Sequence, residues 1–258
     1  MPTIKSTRLG TGFPVVFLHG FCETKDMWFP FVEPLAKQYE VICPDLPGYG
    51  ASLLSSKSLS LDNVADELAE HLAELGITSA AVIGHSLGGY VALSLAERHP
   101  ELINGLGLFH STAYPDSEEA KHRRDKALLF LKKHPVAKFI EPFIPSLFSE
   151  SRKTELADEI AKATKIGLQT PLDTIIAYTL AMRERKDLFG LWCSLPYPCL
   201  FIGGVEDSRI PVEACEAHIE ARDRIDGHIL RNTAHMGMYE SPSECLDIVQ
   251  DFLLKLDY

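Results

Sequence analysis

The chain has 258 residues, 46% of them hydrophobic, and a formal net charge of −11 at pH 7. That length and apolar content suffice for a buried core and exclude a disordered chain, and an acidic balance without long single-sign runs excludes a phosphate-backbone partner, so no nucleic acid is expected. No apolar run nears the ~18 residues a membrane crossing needs and no charged-then-apolar leader opens the chain, so a cytoplasmic protein with no membrane partner is expected.

In chain order, Ile4 to Leu9 reads as an edge strand turning at Gly10-Thr11-Gly12. Val15 to Leu18 is a strand-like run that enters His19-Gly20-Phe21-Cys22. Gly20 permits a tight backbone turn there, which presents the Phe21 N–H as a donor, and His19 suits orienting the loop. Val41 to Cys43 is the next apolar run. Leu61, Val64, Ala65, Leu68, Leu72 and Leu75 then recur at helical period, with Asp62 near the positive end of the helix dipole.

Ala80 to Ile83 reads as a buried strand and Leu87 to Ala96 as a packed helix, with Gly84-His85-Ser86-Leu87-Gly88 between them. A Gly-x-Ser-x-Gly turn between strand and helix keeps side chains away from the bend and pushes the serine hydroxyl out of the sheet. The free N–H groups of the new helix favour an anion at the same spot, the Leu87 N–H among them. The pentapeptide by itself fits equally well a serine that only caps the helix.

After the strand-like run Leu106 to Phe109, no strand pattern appears from about Tyr114 to Gly190. Helical stretches at Ser117 to Lys133, Glu150 to Ile166 and Pro171 to Glu184 are separated there by prolines, and apolar residues such as Phe139, Phe143 and Leu147 pack that segment together. Strand character resumes at Cys199 to Ile202, followed by a loop with adjacent Glu206 and Asp207. The run Ile225 to Leu230 leads into a loop carrying His235, and Leu246 to Leu256 reads as a closing helix. Strands alternating with helices predict an α/β fold, a parallel central sheet flanked by helices. The core is expected over 1–112 and 191–258, with a helical cap insertion over 113–190.

A serine hydroxyl needs a histidine base, and the base needs an acid to fix its tautomer. Of the 10 histidines, His71, His99, His122 and His134 lie in polar or helical-surface contexts and His110 ends a buried strand; His235, in a loop before the last helix, is the best base. Glu206 and Asp207 lie just past the carboxyl end of a strand, the edge where open α/β sheets gather functional groups. The 6 cysteines are scattered without C-x-x-C pairs or histidines at zinc-like spacing, so neither a metal site nor a disulfide scaffold is expected.

With these motifs in place, the chain resembles the α/β-hydrolase superfamily, in its cap-bearing branch of esterases, C–C hydrolases and cofactor-free haloperoxidases. His19-Gly20-Phe21 matches the oxyanion loop, Asp45 to Ser52 a D-x-x-G-x-G-x-S turn, and Gly84 to Gly88 the nucleophile elbow. Gly204 to Asp207 with Ile210-Pro211 matches the acid loop, and Ala234-His235-Met236 with Glu240 and Pro242 the histidine loop. The order Ser86, Asp207, His235 is the one that fold uses. The resemblance selects Asp207 over Glu206 and gives the Asp45 turn a structural part only. Serine, rather than aspartate, at position 86 separates the chain from the haloalkane dehalogenases and epoxide hydrolases. The family often has two strands before the one at Val15, and this sequence has room for one.

The resemblance implies a catalytic triad of Ser86, Asp207 and His235, an oxyanion hole from the Phe21 and Leu87 N–H groups, and no cofactor. The expected substrate is a small or medium, largely apolar carboxylic ester, with Phe21, Trp28 and Met236 lining the mouth of its pocket and the acidic surface favouring a neutral or cationic leaving portion. The same triad also suits C–C bond hydrolysis or perhydrolysis, and the fold is also used by non-catalytic ligand-binding homologues.

Overall fold

In the computed structural model, which describes residues 4–256, seven strands form one sheet. They are β1 (Lys5–Leu9), β2 (Phe13–Leu18), β3 (Tyr39–Asp45), β4 (Ala80–His85), β5 (Ile103–Phe109), β6 (Cys199–Gly204) and β7 (Ile225–Leu230). Their order across the sheet is β1-β3-β2-β4-β5-β6-β7. β1 runs antiparallel to β3, and every other pairing is parallel. All of β4 and β6 is buried, the pattern of strands covered on both faces, which is why they read as unbroken apolar runs.

The helices are α1 (Leu61–Glu74), α2 (Leu87–Arg98), α3 (Glu118–Leu131), α4 (Val136–Phe143), α5 (Ala157–Gly167), α6 (Leu172–Arg183), α7 (Phe189–Ser194), α8 (Val212–Ile219), α9 (Gly237–Glu240) and α10 (Pro242–Leu253). α2 packs on β2, β4 and β5, while α8 and α10 pack on β6. The approach of α2 is backbone to backbone. A Cβ on Gly84 would lie 2.3 Å from the Gly88 carbonyl, and one on Gly88 2.4 Å from the Leu18 oxygen. The glycines of the elbow therefore let the helix start directly over the sheet.

Among the described residues no strand lies between β5 and β6, as the sequence pattern predicts; that stretch holds α3 to α7. Asp116, just before α3, pairs with Arg124 on α3 and with Arg185 just past α6, which ties the two helices at one end. The Thr174 hydroxyl donates to the Gly48 carbonyl at 3.0 Å, and the Tyr178 ring packs 4.9 Å from that of Tyr49. These contacts dock α6 on the Asp45 turn. Asp45 itself accepts from the Lys25 and Ala51 N–H groups and pairs with the Lys25 ammonium, a structural use of its carboxylate.

The helices differ from expectation in several places, and the closing helix expected over Leu246 to Leu256 spans Pro242–Leu253 instead. The helix expected over Glu150 to Ile166 begins only at Ala157, after a single tight turn at Glu150–Arg152. Ser149 is pulled aside because its N–H donates to Glu240 and its hydroxyl to Glu206, which bends the chain away from a helical path. α4 escapes the pattern because Pro142 sits inside it, a residue that ordinarily ends a helix. No described helix is long and apolar enough to cross a membrane.

Candidate active site

Because β2, β4, β5, β6 and β7 are parallel, the loops leaving their carboxyl ends gather along one edge of the sheet, where open α/β folds place their chemistry. Three residues just past β2, within the elbow after β4 and past β5 have left-handed backbones: Cys22 (φ 60°), Ser86 (φ 49°) and His110 (φ 47°). Such conformations cost on the order of 1–3 kcal/mol each in non-glycine residues and persist only where the surroundings enforce them.

Ser86 is enforced from three sides. Its N–H donates to the Phe109 carbonyl at 3.1 Å, and its carbonyl accepts from the Gly89 N–H at 3.0 Å and the Ser111 hydroxyl at 2.7 Å. The half-buried Ser86 side chain makes no capping bond to α2, so the reading of this serine as a helix cap does not hold. Among the described residues no protein acceptor takes up the N–H of Phe21 or of Leu87.

Asp207 and His235, 28 residues apart in sequence, meet with Oδ2 2.7 Å from Nδ1. The other carboxylate oxygen, Oδ1, accepts the backbone N–H groups of Arg209 at 2.7 Å and Ile210 at 3.2 Å, which fixes the plane of the carboxylate. An ionised carboxylate only accepts, so the Nδ1–H of His235 donates to Asp207 and its Nε2 is left facing away from the carboxylate. Burial works against the charge on Asp207, but His235 and His110 beside it prevail and hold its carboxyl far below the usual range. Glu206, its neighbour, turns instead to the Ser149 hydroxyl.

The histidine loop is brought to the elbow by His85, the residue before Ser86. Its Nε2 donates to the His235 carbonyl at 2.9 Å, and the His235 N–H donates to the Leu147 carbonyl at 2.9 Å. Glu240 shapes the same loop from behind, its buried carboxylate accepting the N–H groups of Ala234, Met236 and Ser149. Each buried donor stripped of its acceptor costs about 1–3 kcal/mol. Glu240→Ala is therefore expected to lower the unfolding free energy by at least ~3 kcal/mol in urea denaturation; an unchanged midpoint would mean the loop does not depend on it.

The sequence model of the alpha/beta hydrolase fold family matches residues 14–142. The chain belongs to that family. The thermophilic esterase of Thermogutta terrifontis, solved with malate bound, superposes with a TM-score of 0.92 at 30% identity, over 98% of this chain and 93% of that one. The pimeloyl-[acyl-carrier protein] methyl ester esterase of Aeromonas hydrophila is 27% identical over 97% of this chain and 99% of its own length. The dihydrolipoyllysine-residue acetyltransferase component of the acetoin cleaving system of Cupriavidus necator is 36% identical, but over 44% of this chain and 31% of that protein.

In this alpha/beta hydrolase the sequence reading missed His110, treated there as the plain end of a strand. Its Nδ1 lies 3.4 Å from Asp207 Oδ2, on the oxygen that also faces His235. Full burial pushes its pKa down to about 4 against the pull of Asp207, which keeps the ring neutral near pH 7. Ligand atoms of His110, Asp207 and His235 lie within 4.8 Å of one another, a grouping that could in principle hold an ion. The 2.7 Å Asp207–His235 contact is a hydrogen bond, however. Two ligands on one tetrahedral zinc ion with bonds of about 2.0–2.1 Å stand roughly 3.3 Å apart.

The pocket expectation needs correction at Trp28. That ring is completely buried, with Phe17, Phe31, His85 and Phe109 as ring neighbours, so it packs beneath the elbow rather than at a mouth. Met236 is also completely buried. Phe21, on the loop after β2, does reach across to the inserted helices, its ring meeting Phe143 of α4 edge-on at 5.8 Å. A cavity of about 500 Å³ opens elsewhere, between α1, α2 and the end of α6, lined by Leu59, Tyr90, Leu93, Arg185 and Leu188 among others. Ser86, Asp207 and His235 are not part of its wall.

Proposed function

We propose that this alpha/beta hydrolase is a serine hydrolase that cleaves a small or medium, largely apolar carboxylic ester through an acyl-enzyme. The observation that carries the reading is the Asp207–His235 hydrogen bond, on a loop held by its carbonyl to the residue before Ser86. Ser86 Oγ attacks the ester carbonyl carbon while His235 Nε2 takes its proton. The N–H groups of Phe21 and Leu87 receive the oxyanion, each such donor contributing about 10²–10³ in rate. Collapse of the tetrahedral intermediate expels the alcohol, which takes the proton from His235. Water, deprotonated by the same nitrogen, then attacks the acyl carbon and frees Ser86.

Residues 113–190 act in this reading as a cap over the site. The Phe21–Phe143 contact and the parallel stacking of Phe139 on Phe143 at 5.4 Å support an apolar pocket roof. The esterase relatives at 27–30% identity support ester chemistry. The test is a series of p-nitrophenyl acyl esters of increasing chain length, set beside a β-diketone and a peracid-forming assay. Hydrolysis peaking at short or medium acyl chains, with a pre-steady-state burst, is expected. Turnover of the diketone without the esters would replace this reading by C–C hydrolysis, and no turnover of any would replace it by ligand binding.

A further inference from the structure

The parallel sheet sets its own difficulty for this site. The oxyanion loop follows β2 and the elbow follows β4, which are neighbours, but the histidine loop follows β7, beyond β5 and β6. Three separate loops must therefore be held to one another within a fraction of an ångström.

Glu23 and His85 lie where the three meet. Glu23 Oε2 is 3.0 Å from His85 Nδ1 and also accepts the Gly20 N–H at 2.5 Å. His85 Nε2 points the other way, to the His235 carbonyl. The two side chains are 5% and 0% exposed, respectively. Trp28 and Phe109 close around the His85 ring, with centroids at 6.4 and 6.1 Å. A Cβ on Gly20 would come within 2.7 Å of both Glu23 Oε2 and His85 Nδ1. The glycine of the oxyanion loop is thus the residue that lets this pair sit under it.

We infer that Glu23 and His85 are positioning residues, a buried carboxylate–imidazolium pair that locks the oxyanion loop, the serine elbow and the histidine loop into register; this rests on the reading of Ser86 as the nucleophile. With Glu23 ionised, both neighbours of the His85 ring are acceptors, so both ring nitrogens carry protons and the ring is charged. Burial opposes both charges, yet mutual attraction raises the pKa of His85 and lowers that of Glu23.

A glutamine at position 23 cannot replace the carboxylate. If its oxygen takes the Oε2 place, Gly20 is satisfied but no charge holds the second proton on His85, and Nε2 turns a lone pair on the His235 carbonyl. If its amide nitrogen takes that place, it opposes the Gly20 N–H. Either way one of the three loops is released. Misplacement of reacting groups by 1 Å is worth about 10²-fold in rate, and it acts on the chemical step rather than on substrate binding.

The experiment compares wild type, Glu23→Gln, His85→Gln and the double variant on an ester that the wild type cleaves, with active sites titrated and melting curves recorded. Glu23→Gln is expected to lower kcat by about 10- to 100-fold per titrated site with KM changed less than about threefold. The double variant should be no worse than about twofold below the single, since the pair acts as a unit. In the wild type, side-chain ¹⁵N resonances of His85 should show the doubly protonated ring persisting to higher pH than in an unperturbed histidine. Wild-type kcat in folded Glu23→Gln, a loss confined to KM, or a His85 ring that loses its second proton no later than an ordinary histidine overturns the inference. If the variants do not fold, the wild-type resonances alone decide it. An active Ser86→Ala would overturn the nucleophile reading instead, so the two failures are separable.

Discussion

Replacing Ser86 with alanine is expected to lower kcat on a p-nitrophenyl acyl ester by about 10⁵–10⁶, while the protein still folds. The size follows from the triad acting as a unit: without the hydroxyl, His235 has no nucleophile to deprotonate, and only the amides of Phe21 and Leu87 remain to favour attack by water. Retained folding follows from the geometry. The bonds that hold residue 86 in its left-handed conformation come from its backbone N–H and carbonyl, and its side chain caps nothing. A melting curve run beside the kinetics separates lost chemistry from lost structure. Retention of most activity by folded Ser86→Ala would remove the serine from the reaction.

Asp207→Asn should come next in severity, with kcat reduced by about 10⁴ and KM nearly unchanged. The structure dictates how the amide sits. Two backbone N–H groups, from Arg209 and Ile210, point at the Oδ1 position and demand an acceptor there. The amide nitrogen is then forced to the Oδ2 position, where it donates to His235 Nδ1 and drives the ring proton to Nε2, the nitrogen that must act as base. A loss near tenfold would mean that His235 does not depend on Asp207 for its tautomer. Because the Asp207 carboxyl is held well below its ordinary value, its charge supports the fold fully above the unfolded value of about 3.9 and that support fades as pH falls further. Asp207→Asn should accordingly flatten the acid end of the stability profile.

Much of this arrangement is legible in one sequence because it is local. The elbow's glycines, the strand runs at Val15, Ala80 and Cys199, and the stripe over Leu61 to Leu75 declare themselves through spacing. What stays hidden depends on partners far along the chain. His85 and Glu23 are 62 residues apart, and neither looks unusual until β2 and β4 lie side by side. His110 lies directly after β5, and only the return of the loop after β6 puts Asp207 against it. Trp28 misleads for the converse reason. A large aromatic near a glycine loop suits a pocket wall, and only the fold shows Phe17, Phe31 and Phe109 closing over it. The inserted helices blur because Pro142 lies within α4 and because Ser149 is drawn off the helical path by Glu206 and Glu240.

Covalent trapping tests directly whether Ser86 Oγ is the atom that attacks. The folded protein is treated with a fluorophosphonate, digested, and its peptides mapped by mass spectrometry while ester hydrolysis is followed in parallel. One adduct per chain is expected, on Ser86, with hydrolysis lost in proportion to labelling and no adduct on folded Ser86→Ala. An adduct on another residue, or hydrolysis that survives stoichiometric labelling of Ser86, would contradict it.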